Sequence, residues 1–189
     1  MIRTDEPNQK IFLVGHSFGG ELVLYYGIRF PESIEGLVVS SPNVLRKTKV
    51  PFVKQIAAPL LSYLAPVLAL GNEIDPQLLS HDPEVVEAYK NDTRTLKKIT
   101  TRLGNIILSH NGKLLGLAKQ LRVPCLLMHA GDDQICSPEA TQEFYEKVPI
   151  RDKTLKIYEG FYHELFNEVE REKVFLDMQQ WIEKRIPPS

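Results

Sequence analysis

The sequence predicts an α/β fold built on a parallel sheet, and three observations carry that prediction. Short uninterrupted apolar runs occur at Ile11–Val14, in "GLVVSSP" (Gly36–Pro42) and in "VPCLLMHAG" (Val123–Gly131). Such runs belong to strands buried on both faces. Helix-compatible segments stand between and after them. The resulting order is strand, helix, strand, helical insertion, strand, helix, strand, helix, the pattern of parallel strands joined by crossovers.

The elements follow in chain order. After Ile11–Val14, residues Glu21 to Phe30 are good helix formers, and Pro31 ends them. Pro42 stops the second strand, because proline cannot donate to a ladder. Residues 43–120 differ in character and are too long for a loop, so they are expected to form a helical insertion between two strands. Within it, "IAAPLLSYLAPVLALG" (Ile56–Gly71) is the most apolar stretch, broken by Pro59 and Pro66. It is shorter than the roughly 18–20 residues of a membrane-spanning helix and is expected to be an apolar surface element. In "TRTLKKITTRLGNIILSH", Leu96, Ile99, Leu103, Ile106 and Ile107 share one face of an expected helix. The sheet resumes at Val123. Ser137 is placed to cap a helix whose first residue is Pro138. "KTLKIYEG" is the next strand, and the final helix carries Val174, Met178, Trp181 and Ile182, with Arg185 able to lay its stem along them.

The chain of 189 residues is thus expected to be a single domain, with a core of 1–42 and 121–189 interrupted by the insertion 43–120. A formal charge of −1, with Lys and Arg scattered, gives no electrostatic reason to expect nucleic acid. The two cysteines, Cys125 and Cys136, make no disulfide framework and suit a reducing, cytoplasmic compartment. "MIRTDEPNQK" lacks the apolar centre of a secretory signal. No metal-ligand spacing, phosphate loop or dinucleotide fingerprint is present, so no cofactor is expected.

The chemistry concentrates in "GHSFG", Gly15 to Gly19. A G-x-S-x-G pattern between a buried strand and a helix is a nucleophile elbow. Its serine stands on a strained turn, and side chains at Gly15 and Gly19 are expected to clash there. The alternative is a glycine-rich turn with an ordinary serine. The helix N-terminus favours an oxyanion, and the backbone N–H of Phe18 is one expected donor to it. A serine hydroxyl needs a base. Of the five histidines, His16 is expected to point away from the nucleophile and serve in packing or hydrogen bonding, His81 and His110 to lie on the surface, and His129 to be a satisfied core residue. His163, in "EGFYHELF" after the last strand, falls at the carboxyl edge where such sheets place their sites. "HAGDDQICSPE" offers the acid as Asp133, with Asp132 as competitor. The order Ser17, Asp133, His163 is the Ser…Asp…His order of α/β-hydrolases.

Over nearly its whole length the chain resembles the monoacylglycerol lipase and lysophospholipase-like branch of the α/β-hydrolases, also described as serine aminopeptidase S33-like. "FLVGHSFGG", "DPEVVEAY", "ITTRL", "VPCLLMHAGDDQICSPEAT" and "DKTLKIYEGFYHELFNE" carry the resemblance. It implies a serine esterase acting on a monoglyceride or lysolipid ester, with the insertion as a cap over the site and its apolar face admitting the acyl chain. Peripheral membrane contact through that cap is a further expectation. "NDTRT" (Asn91–Thr95) departs from the branch and bears on cap shape. Alternatives are a non-catalytic remnant serving as an interaction module, or the same triad acting on a peptide or thioester.

The resemblance also implies an eight-stranded sheet with the elbow after the fifth strand. The chain is therefore expected to hold a partial α/β-hydrolase fold, strands 5–8 of the usual eight. Met1 would then be an internal methionine, the loop supplying the second oxyanion donor would be missing, and the chain alone would expose an apolar sheet edge and aggregate. Oligomeric state is not specified by the sequence.

Overall fold

A computed structural model describes residues 9–72 and 74–186; most of "MIRTDEPNQK", including Met1, lies outside the described residues. Four parallel strands form the main sheet in the order β1 (Phe12–His16), β2 (Gly36–Ser40), β5 (Cys125–Ala130), β6 (Lys153–Tyr158). The register pairs Phe12 with Gly36, Leu37 with Cys125 and Cys125 with Lys153. Among the described residues, the outer edge of β1 pairs with no strand, and Val14 there is 51% exposed.

The apolar runs at β2 and β5 exist because both sheet faces are covered. On one face, Leu37, Val39 and Leu127 pack with Leu24, Leu114, Leu121 and Phe144. These last come from α1 (Phe18–Arg29), α5 (Lys113–Leu117), the turn after α5, and α6 (Pro138–Lys147). On the other face, Val38, Leu126 and Met128 pack with Phe161, Leu165 and the Val174 and Trp181 side chains of α7 (Arg171–Glu183). Gly36 is required by this second layer, since a Cβ there would come within 2.8 Å of Trp181 and 2.9 Å of Phe12. Ser137 caps α6 by accepting the Ala140 N–H at 3.0 Å.

The insertion is mixed rather than all-helical. It contains α2 (Phe52–Leu64), β3 (Ala69–Gly71), α3 (Pro83–Asn91), β4 (Lys98–Thr100) and α4 (Thr101–His110), with β3 and β4 paired antiparallel. Two expectations are corrected. Leu96 and Ile99 precede the helix that holds Leu103, Ile106 and Ile107. The Thr100 side chain accepts the Leu103 N–H at 3.2 Å and caps α4, so the residues before it are extended. Pro59 lies inside α2 instead of breaking it; the exposed helix loses one ladder bond and runs on to Leu64, ending just before Pro66. The two helices are joined where Thr101 Oγ donates to the Ala65 carbonyl at 2.5 Å. None of the described helices is long and apolar enough to cross a membrane.

Candidate active site

Four strand ends lie at the carboxyl edge of the sheet, and three of them, those of β1, β5 and β6, are each followed by a residue of the site. Ser17 follows β1 with φ +53°, in the left-handed region that side-chain-bearing residues avoid. That strain is held by three backbone hydrogen bonds. Ser17 N–H donates to the Ser40 carbonyl at 2.9 Å, and the Ser17 carbonyl accepts from Glu21 and Asn43, both at 3.1 Å. A Cβ at Gly15 would lie 2.5 Å from the Gly19 carbonyl oxygen, so this glycine is required. At Gly19 a Cβ would meet nothing within 4 Å, which corrects the expected clash: the turn crowds its first glycine and leaves the other facing open space.

His163, in the loop after β6, brings Nε2 to 2.9 Å from Ser17 Oγ and Nδ1 to 2.7 Å from Asp133 Oδ2. Asp133 is fully buried, and its other oxygen accepts the N–H groups of Ile135 and Cys136 at 2.8 and 2.9 Å. Asp132 is exposed, with its N–H bonded to the Phe161 carbonyl at 3.0 Å. Burial alone would raise the pKa of Asp133; the approaches of His129 and His163 outweigh it and hold the carboxyl well below the usual carboxylate range.

The remaining histidines meet expectation in part. The His16 ring stands 4.8 Å from that of His163 and Nδ1 is 3.2 Å from Ser40 Oγ, so it has the expected packing and hydrogen-bonding role, but against the imidazole of the site instead of away from it. Burial first, and then the charge of His163, lower its pKa to about 3. His129 is buried with Nε2 3.1 Å from Asp133 Oδ2, but the approach is too oblique for a well-formed hydrogen bond. His81 and His110 are half-exposed, yet each reaches a buried carboxylate, Glu168 at 2.8 Å and Glu21 at 3.8 Å.

Sequence reasoning missed Glu168. Its carboxylate accepts from Tyr162 N–H at 2.8 Å and His81 N–H at 3.2 Å, and it faces His81 Nδ1. Burial would raise its pKa, but these donors outweigh the effect and lower it. The His81 ring also stacks on Tyr162 at 3.7 Å, and Glu164 N–H donates to the Leu79 carbonyl at 2.8 Å. The insertion thereby grips the loop that carries His163. The sole sequence signal was an acid five residues after His163, and nothing local marks such an acid as buried.

Ser17 and Phe18 open onto a cavity of about 410 Å³ walled mainly by apolar residues of the insertion, among them Val53, Ala57, Leu61, Ile99, Ile107 and Leu108. Its volume lies within the roughly 300–1,000 Å³ of small-molecule sites. Cys136 also lines it and is 2% exposed, and burial pushes its thiol pKa up; burial pushes that of Cys125 up to about 12.

A strained serine between strand and helix, with histidine and acid on later strand ends of one parallel sheet, defines the molecule as an α/β-hydrolase. The chain belongs to the serine aminopeptidase S33 family, which it matches over residues 1–170. It sits on the branch of that fold typified by the monoglyceride lipases. It is 33% identical to a monoacylglycerol lipase of Mycolicibacterium smegmatis, covering 94% of this chain and 64% of that protein. With human monoglyceride lipase it shares 31% identity over 97% of this chain and 62% of the relative. An abhydrolase domain-containing protein of Dictyostelium discoideum is 40% identical over 97% of this chain, which is 19% of its own length. The chain thus spans less than two thirds of these relatives. Among solved structures, the Paleococcus ferrophilus monoacylglycerol lipase superposes with TM-score 0.89 at 32% identity, covering 96% of this chain and 71% of that one. A soluble variant of the Saccharomyces cerevisiae monoglyceride lipase, in complex with a substrate analog, gives 0.87 at 25% identity, covering 99% and 66%.

Proposed function

We propose that this chain carries the catalytic centre of a serine esterase for lipid acyl esters of the monoacylglycerol or lysophospholipid type. The observation that carries the proposal is the line from Ser17 Oγ through His163 to Asp133, at 2.9 and 2.7 Å, opening onto an apolar cavity. His163 Nε2 takes the hydroxyl proton as Ser17 Oγ attacks the ester carbonyl. The Asp133 carboxylate, kept ionised, holds Nδ1–H and stabilises the imidazolium that forms. The Phe18 N–H, at the start of α1, donates to the developing oxyanion; the second donor is assigned to no residue of this chain. His163 then protonates the leaving alcohol. The acyl group remains on Ser17 until water, deprotonated by the same imidazole, releases the acid.

Residues 43–120 serve in this reading as the cap, with the cavity beneath them taking the acyl chain. The exposed outer face of α2, with Phe52, Ile56, Leu60 and Tyr63, rests on a lipid surface. The reading rests also on the monoglyceride lipases among the relatives.

The test is labelling with a fluorophosphonate probe and hydrolysis of acyl esters of increasing chain length. Wild type is expected to label, and Ser17→Ala and His163→Ala to lose labelling and about 10⁴–10⁶-fold of turnover. Label that persists in Ser17→Ala would remove Ser17 from its role.

A further inference from the structure

Glu21 is a buried carboxylate that the proposed reaction does not use. It stands in the first turn of α1, 1% exposed, where an acid ordinarily sits in water and compensates the helix dipole. Here Oε2 accepts from Asn43 Nδ2 at 2.7 Å, while Oε1 is buried without a hydrogen-bond partner, 3.8 Å from His110 Nδ1. Burial raises its pKa against the opposing effects of Asn43 and His110. An apolar residue of similar volume would fill this site without the desolvation cost of a carboxylate. The group therefore does something besides packing.

The hydrogen bonds show what it holds. Asn43, on the turn after β2, donates its backbone N–H to the Ser17 carbonyl at 3.1 Å, and the residue lines the cavity along with Ser17. Its Oδ1 faces the Cys136 thiol at 3.8 Å, and the Cys136 N–H donates to Asp133 Oδ1 at 2.9 Å. Glu21, Asn43, Cys136 and Asp133 thus form a second path from the nucleophile turn to the acid, running beside the path through His163. Ser17 has a backbone conformation that must be imposed from outside, and this path grips both its carbonyl and the acid loop.

We propose that Glu21 and Asn43 are positioning residues for Ser17: the carboxylate fixes the Asn43 amide, and Asn43 locks the strained turn so that Ser17 Oγ keeps its line to His163. The inference rests on Ser17 being the nucleophile.

Steady-state hydrolysis of a short-chain nitrophenyl ester, the rate of fluorophosphonate labelling and the thermal midpoint are measured together on the full chain. Glu21→Ala is expected to lower kcat and the labelling rate by about 10–100-fold with little change in KM, the scale of a misplaced reacting atom. Glu21→Gln, which keeps an acceptor oxygen for Asn43, is expected to stay within about threefold of wild type. Glu21→Leu combined with Asn43→Leu removes the buried charge and its partner together. It is expected to match or exceed the single variants in thermal midpoint while kcat stays low. Recovery of kcat along with the midpoint in that double variant would overturn the proposal. So would an unchanged kcat in Glu21→Ala with only the midpoint lowered. If the wild type itself does not label at Ser17, the reading of the active site fails first. If it labels and Glu21→Ala labels as fast, only the present inference fails.

Discussion

The strand-bearing part of the chain and the insertion between β2 and β5 obey opposite rules. In β2 and β5 every residue is buried, whereas α2 buries none of its thirteen and leaves Phe52 74% and Tyr63 84% exposed. Both are apolar by composition. In the sheet, apolar side chains leave water and fix four loop ends in space, so that hydrogen bonds of 2.7 and 2.9 Å can be kept without the protein's rearranging for each turnover. In the insertion, one side of α2 walls the cavity and the other meets solvent, an arrangement that fits contact with lipid at the expense of a packed interior.

The comparison breaks most visibly at the acid. Asp133→Asn should lower kcat by about 10⁴-fold while leaving substrate binding in place, because the imidazole loses the partner that fixes its tautomer. Asp132→Asn should leave kcat within about threefold, since its side chain is exposed and outside the hydrogen-bonded line. Equal losses in the two variants, read from ester hydrolysis, would sink the assignment.

A core-against-cap pair sharpens it next. Leu127, fully buried at the centre of the sheet, should cost about 2–5 kcal/mol when cut to alanine. Ile56→Ser with Leu60→Ser should cost less than about 1 kcal/mol in chemical denaturation, yet weaken sedimentation with anionic vesicles by at least about tenfold. Vesicle binding that ignores the α2 changes would leave the insertion as a lid with no part in surface contact.

The pH response is smaller. His16 takes up a proton at its ordinary value of 6.5 in the unfolded chain but only near about 3 in the fold. Between these values the unfolded state holds more protons, so the stability from neutral His16 is complete above pH 6.5 and falls as pH drops toward 3. The loss should reach at most roughly 3 kcal/mol at pH 4. Urea unfolding of wild type and His16→Gln across pH 7 to 4 measures it, and identical slopes would refute the assignment.

The parallel sheet and the strained turn of the elbow were legible because each rests on local chemistry. An uninterrupted apolar run means a strand covered on both faces, and a serine between glycines after such a run means a turn that only a few residues tolerate. Leu96 and Ile99 went to the wrong element because helical spacing persists a few residues beyond a cap, and the Thr100 hydroxyl decides where the helix begins. Pro59 misled because an exposed helix can lose one ladder bond to water. Tertiary structure alone turned His16 toward His163, buried Glu21 and Glu168, and laid residues 78–82 of the insertion against the His163 loop. Burial and long-range hydrogen bonding depend on which distant segments meet, and a charged residue in a helical turn looks the same whether water or an asparagine lies beside it.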